Sequence, residues 1–384
     1  FFPHYIGEDD CEIEVSDSAF YMTDAVTDKA VEMIGKASGE DKPFFLYLAY
    51  TAPHWPLQAH AEDIARYQGK YRKGWDHLRT ARHEEMLGRG LLQGNWDISP
   101  RDPDAHAWTD EKNTDWEDAR MATYAAMVDC MDQGIGRVMA KLRALGVEQD
   151  TLVLFLSDNG GCAEFLAEDG WTDSYPATGF NGEEVVSGNI PDLAPGPGTT
   201  FQSYDVAWSN VSNAPFRMHK SWVHEGGIST PLIVHWPNGV EAKGVIHQAR
   251  HVVDIMPTLL DVSGATYPKD FDGHGIHDLD GESLMPLFCN NTAEREAPIF
   301  WEHEGNCAAR IGDWKLVREF GKDWELYNMR DDRTELLDLR FRNTPKSQML
   351  IREFDNWTEK IGVIDWAILR EHPDMDWVKP TKPE

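Results

Sequence analysis

Two continuous apolar runs, residues 43–50 (PFFLYLAY) and 151–156 (TLVLFL), flank one long amphipathic stripe, and that arrangement limits the chain to few architectures. Apolar runs this short, without alternation, read as strands buried on both faces. Between them Met121, Tyr124, Val128, Met131, Ile135, Val138, Leu142 and Leu145 recur at three- and four-residue spacing, which predicts a helix over about 116–145 with Gly146 as its C-cap. A helix leading into a buried strand is the α/β pattern, so a layered α/β fold is expected. A further strand is predicted at 231–236 and a helix at 252–262, closed by Ser263-Gly264. Beyond about residue 290 the texture changes to short strand candidates (299–301, 308–311, 314–317, 324–327) and one helix near 345–361. The expected organisation is therefore an α/β domain over 1–290 and a small α+β subdomain over 291–384. From about 168 to 215 Gly, Pro, Asn and Ser abound with no period, which predicts a long functional loop.

A formal charge of −30 argues against a surface for nucleic acid or sulfated polyanions, because such chains are held by basic patches. No apolar run is long enough to span a bilayer. The 5 cysteines form no C-x-x-C pair and their odd number signals neither a disulfide framework nor a zinc cage.

Ligands of open α/β sheets collect at the carboxyl ends of strands, so the polar residues placed there are the candidates for chemistry. Asp158 and Asn159 follow the run at 151–156; paired oxygen donors suit a hard cation, Ca²⁺ or Mg²⁺, and an Asx turn is the plainer reading. His54 lies between Pro53 and Pro56 after the first run, where it is either rigidly presented or simply a hydrogen-bonded structural residue. Residues 216–227 (FRMHKSWVHEGG) gather Arg217, His219, Lys220 and His224 against a strongly acidic background. That is what a small-anion pocket needs, or else a solvated face that counters nearby acids.

The three clusters together, A-P-H-x-P at 52–56, S-D-N-G-G at 157–161 and K-x-x-x-x-E-G-G at 220–227, resemble the type I sulfatases of the alkaline-phosphatase-like superfamily. The similarity continues at 20–24 (FYMTD), 70–75 (KYRKGW), 124–129 (YAAMVD), 254–258 (DIMPT), 280–284 (DGESL) and 301–305 (WEHEG). The resemblance implies an alkaline-phosphatase-like mixed sheet flanked by helices and hydrolysis of a sulfate ester, on a sulfated carbohydrate or an aryl alcohol. It also implies that Asp158 and Asn159 are two calcium ligands, and that His54 and Lys220 contact the sulfate. The family's nucleophile is a formylglycine made by a formylglycine-generating enzyme from the Cys or Ser of a C/S-x-P-x-R motif. No such motif occurs here; Ser212-Asn213-Ala214-Pro215-Phe216-Arg217 has one residue too many. The expectation is a chain that lacks the N-terminal nucleophile segment and is inactive alone. Ser229 stands where many relatives have Arg.

Trp55, Trp171, Trp208, Trp222 and Trp301 lie in or beside the candidate site loops, with Trp55 the foremost candidate to stack on a leaving group. His303 and Arg310 are placed to reach over the pocket from the C-terminal subdomain. A periplasmic or secreted setting is expected. Two other readings fit the same residues: a phosphate or phosphonate ester hydrolase of the same superfamily, and a non-catalytic protein that binds sulfated ligands.

Overall fold

The computed structural model of the chain describes residues 6–372 apart from 16, 18, 93–95, 168–177, 180, 181, 291–293 and 296. Helix α1 spans Met22–Ala37, α2 Gly74–Gly88 and α3 Thr114–Ala144. Asp115 and Glu117 in the first turn of α3 and Lys141 and Arg143 in its last complement the helix dipole. The period-based expectation of 116–145 lies within two residues of these ends. Helix α1 crosses α3 at Gly134, where an added Cβ would lie 2.5 Å from Thr27 Oγ1.

Strand β1, Val153–Leu156, pairs antiparallel with β2, Leu232–His235, so Leu156 faces Leu232 and the polar turn after β1 meets the entrance to β2. The expectation that residues 43–50 form a buried strand in this sheet is not met. That segment enters no ladder among the described residues, and Phe45 and Tyr47 are 75% and 81% exposed. An apolar run records willingness to form a strand; pairing also requires a neighbour, and none of the described strands lies beside it. The region read as one long loop without helix or strand, about 168–215, is also corrected: it holds α4, Asp205–Ser212, and a short parallel pair of Val186–Ser187 with Thr200–Phe201. Trp208 of α4 is fully buried against Trp75, their rings edge-on at 5.5 Å, so it belongs to the core and not to a substrate surface. Trp171 lies outside the described residues.

Helix α5, Ile255–Ser263, closes at Gly264 in the left-handed conformation that glycine adopts without steric cost. The C-terminal subdomain carries strands β3 (Ile299–His303), β4 (Asn306–Ile311), β5 (Trp314–Arg318) and β6 (Glu325–Asn328), antiparallel in chain order, followed by α6, Thr344–Ile361. The period-2 alternation sorts its residues between two covered faces. Cys307, Ala309, Leu316 and Leu326 pack on Leu350 and Phe354 of α6; Ala308, Val317 and Tyr327 pack on Val223 and Ile228 of the α/β domain. Each buried leucine contributes about 1.5–3 kcal/mol. The second face is the one that matters for the site, because the basic segment 216–228 lies across it.

Candidate functional site

Lys220 sits at the apex of that segment, and the backbone around it is held in an uncommon form. Met218 (φ 67°) and Ser221 (φ 82°) both occupy the left-handed region, which costs a non-glycine residue on the order of 1–3 kcal/mol and persists only where the surroundings enforce it. The Lys220 N–H donates to Gly161 O at 3.0 Å, and Gly160 N–H donates to Gly227 O at 2.9 Å. The turn after β1 and the basic loop are thus stitched backbone to backbone. An added Cβ on Gly160 would lie 1.8 Å from Gly226 O, so only glycine permits this approach. Lys220 Nζ then stands 3.3 Å from His54 Nε2. His54 Nδ1 is 2.7 Å from Trp55 O, a carbonyl that only accepts; Nδ1 therefore carries the proton, and Nε2 offers its lone pair to the Lys220 ammonium.

The other basic residues of the segment are already engaged. His219, nearly inaccessible, has Nδ1 2.7 Å from Ser209 Oγ and Nε2 3.0 Å from Asp102 Oδ2. The hydrogen bond from His219 holds the Asp102 carboxyl below the ordinary carboxylate range. His224 Nε2 lies 3.2 Å from Glu325 Oε2, and Arg217 Nη1 3.5 Å from the same oxygen. Glu225 is buried with one oxygen 2.9 Å from Lys315 Nζ and the other 3.2 Å from Arg333 Nε. Burial alone would raise the Glu225 carboxyl, but the charges of Lys315 and Arg333 outweigh it and bring it down to about 2. Lys315, itself fully buried, also lies 2.8 Å from Glu335 Oε1, and Glu335 Oε2 accepts from Glu225 N–H. The cluster read from sequence as a single basic patch resolves into anchoring residues and one lysine aimed at His54.

Asp158 and Asn159 stand on the turn to which Lys220 is bonded. Asp158 Oδ1 accepts from Asn159 N–H at 3.0 Å and Asn159 Nδ2 donates to Gly160 O at 2.7 Å, which is a local turn arrangement. Their oxygens suit calcium or magnesium in kind, yet two residues fall short of the six to eight oxygens calcium takes. No group of three or more His, Cys, Asp or Glu suited to a metal occurs among the described residues.

Trp55, partly buried, donates from Nε1 to Glu164 Oε2 at 2.7 Å and packs edge-on to Phe201 at 5.8 Å, beside His54. Glu164 and the half-exposed Phe165 were not singled out from the sequence; nothing in their spacing marks them. On the opposite side Asn306, at the β3–β4 turn, donates from Nδ2 to Ser221 O at 3.0 Å, which brings this turn and the exposed His303 to the lysine loop. Arg310 is not brought there. It pairs with Ile299 at the far end of the hairpin and lines a small cavity with Ala249, Arg295 and Gly312. Asn210, in a glycosylation-type triplet, is buried and accepts from Asp102 N–H, so it serves as a core contact.

Comparison with known proteins bears on what this corner is for. The sulfatase family model matches residues 3–265, and a model of the C-terminal region of N-sulphoglucosamine sulphohydrolase matches residues 216–360. An uncharacterized sulfatase of Schizosaccharomyces pombe is 31% identical over 83% of this chain and 58% of its own length. An arylsulfatase of Klebsiella aerogenes is 31% identical over 78% of this chain and 62% of its own. The chain therefore spans about three fifths of the length of these relatives. Among solved structures, Ps i-CgsB in complex with a neocarrahexaose aligns with a TM-score of 0.58 at 23% identity, covering 97% of this chain and 64% of that one. BT4656 in complex with D-glucosamine-2-N,6-O-disulfate aligns at 0.53 and 19% identity, over 93% and 72%.

Proposed function

The chain belongs to the sulfatase family, with its alkaline-phosphatase-like α/β fold, and from that premise we propose that it supplies the sulfate-holding side of a sulfate-ester hydrolase. The observation that carries this reading is the 3.3 Å approach of Lys220 Nζ to His54 Nε2, on a loop bonded to the turn of Asp158 and Asn159. In this reading the Lys220 ammonium binds a sulfate oxygen and holds charge as the S–O bond to the alcohol breaks, an interaction stronger in the transition state than in the ground state. His54, oriented through Nδ1, presents Nε2 to the same group; in the imidazolium form, with a proton on Nε2 as well, it would hydrogen-bond or protonate the departing oxygen. A calcium ion, with Asp158 and Asn159 as two of its ligands, would supply positive charge to the sulfate oxygens when bound. Trp55 would flank the leaving group and His303 would approach it from the C-terminal turn, whereas Arg310, at the far end of the hairpin, is left out of this reading.

The relatives support a sulfate ester as the substrate, and we propose a sulfated carbohydrate or an aryl sulfate. A formylglycine nucleophile would come from a C/S-x-P-x-R segment, which the 384 residues do not contain. The test is turnover of 4-nitrophenyl sulfate. The 384-residue chain is expected to show none, and an upstream-extended form produced with a formylglycine-generating enzyme is expected to be active. Hydrolysis by the chain alone would sink the assignment of the nucleophile to an upstream segment; sulfate-ester binding without turnover by the extended form would favour a non-catalytic binding role.

A further inference from the structure

We propose that Arg333 of the C-terminal subdomain is a positioning residue for Lys220, clipping together the two ends of the loop that presents it. The guanidinium carbon lies 5.0 Å from the ring centroid of Phe216, where the loop begins. Its Nε is 3.2 Å from Glu225 Oε2, and its Nη2 donates to Ser229 Oγ, where the loop ends. One planar cation therefore touches both ends of a fourteen-residue excursion whose apex is Lys220. The loop closes on itself at the same place, through Gly226 N–H to Arg217 O at 2.9 Å.

Such a clip is needed because the apex is strained. With Met218 and Ser221 both left-handed, the apex conformation costs energy that the surroundings must offset, and contacts that fix the loop's ends contribute to holding it. Arg333 suits the task in a way a lysine would not: the flat guanidinium stacks on Phe216 while two different nitrogens reach Glu225 and Ser229. Lys315 holds the other oxygen of Glu225 from within the sheet, so that Glu225 is gripped from both sides. Arg333 is about a quarter exposed, whereas Lys315 is fully buried, and after loss of Arg333 the Glu225 carboxylate still keeps Lys315, which it shares with Glu335. The C-terminal subdomain thus acts on the loop of the anion-holding lysine through Arg333 as well as through the Asn306 contact to Ser221, beyond covering apolar surface.

The inference rests on the reading of Lys220 as the anion-holding residue, and the experiment separates the two. The 384-residue chain is treated with a lysine-acetylating reagent, with and without inorganic sulfate, and modification of Lys220 is followed by mass spectrometry against exposed Lys36 and Lys70 as internal references. Arg333→Ala is expected to change Lys220 reactivity by about two- to tenfold, the scale of one lost hydrogen bond, with the reference lysines unchanged. Arg333→Lys should recover part of that change and Ser229→Ala should show a smaller one. A general loosening of the fold would move the reference lysines as well. Unchanged Lys220 reactivity in Arg333→Ala overturns the inference; if that variant does not fold, unchanged reactivity in both Arg333→Lys and Ser229→Ala does so. Failure of sulfate to protect Lys220 in the unsubstituted chain would count against the anion-holding role while leaving the reactivity comparison intact.

Discussion

The two sheet regions of the molecule are built from the same kind of sequence and end in opposite states. In the C-terminal sheet Ala308, Leu316, Val317 and Leu326 are completely buried, one face under α6 and the other under the Lys220 loop. In the α/β domain Val234 of β2 is covered by Leu284, Leu287 and Phe288, but the neighbouring Ile233 is 58% exposed and the apolar segment 43–50 enters no ladder among the described residues. The apolar pattern decides which residues will accept a strand, and the presence of a partner decides whether they are buried. The catalytic candidates hang between these regions: His54 follows the open segment, and Lys220 leans on the closed sheet.

Substitutions in the closed sheet should therefore cost far more than equivalent ones in the open region. Lys315→Ala has the largest expected effect, about 3–5 kcal/mol by chemical denaturation, because it leaves Glu335 buried without its cation and Glu225 with Arg333 alone. A cost under 1 kcal/mol would mean that the network is solvated. Leu350→Ala, which opens a cavity between α6 and the sheet, should cost about 2–5 kcal/mol. Acid should act next and selectively. The Glu225 carboxyl is held below its ordinary value of 4.5, at about 2, so its stabilisation is fully present above pH 4.5 and is lost as pH falls toward 2; Asp102, also depressed, works in the same direction. A melting temperature that rose on acidification through this window would contradict the assignment. Ile233→Thr and Phe45→Ser should shift stability by no more than about 0.5 kcal/mol, and a large loss in either would show that the open surface is covered in solution.

Much of this was legible in the sequence, and the misses have definite causes. The long helix and the four C-terminal strands follow from periods that the fold obeys, because both faces of those strands are buried within the chain. The same signal misled at 43–50, since it carries no information about a neighbour. Helix α4 went unread because Val206, Trp208 and Val211 are too few to establish a period among the glycines and prolines around them. His54, Asp158 and Asn159 were named from their places after apolar runs, Lys220 from its basic cluster, and their roles from the family resemblance; the structure brings His54 and Lys220 into contact and bonds the turn of Asp158 and Asn159 to the lysine loop. Arg333 and Lys315 were not found. The signal for Lys315 was present: in W-K-L-V-R the period-2 rule places Lys315 on the face of Val317, inward. Arg333 stands in a run of charged residues that reads as a solvated turn, and only the tertiary contact with Phe216 and Glu225 reveals it.

The central claim is that Lys220, opposed to His54, holds the charge of a sulfate group as its ester bond breaks. Its most direct measurement is kcat for 4-nitrophenyl sulfate in an upstream-extended, formylglycine-bearing form, with and without Lys220→Ala. Loss of one preorganised transition-state contact predicts a fall of roughly 10²–10³ in kcat; a kcat close to that of the unsubstituted enzyme would return Lys220 to a merely solvated surface residue and contradict the account.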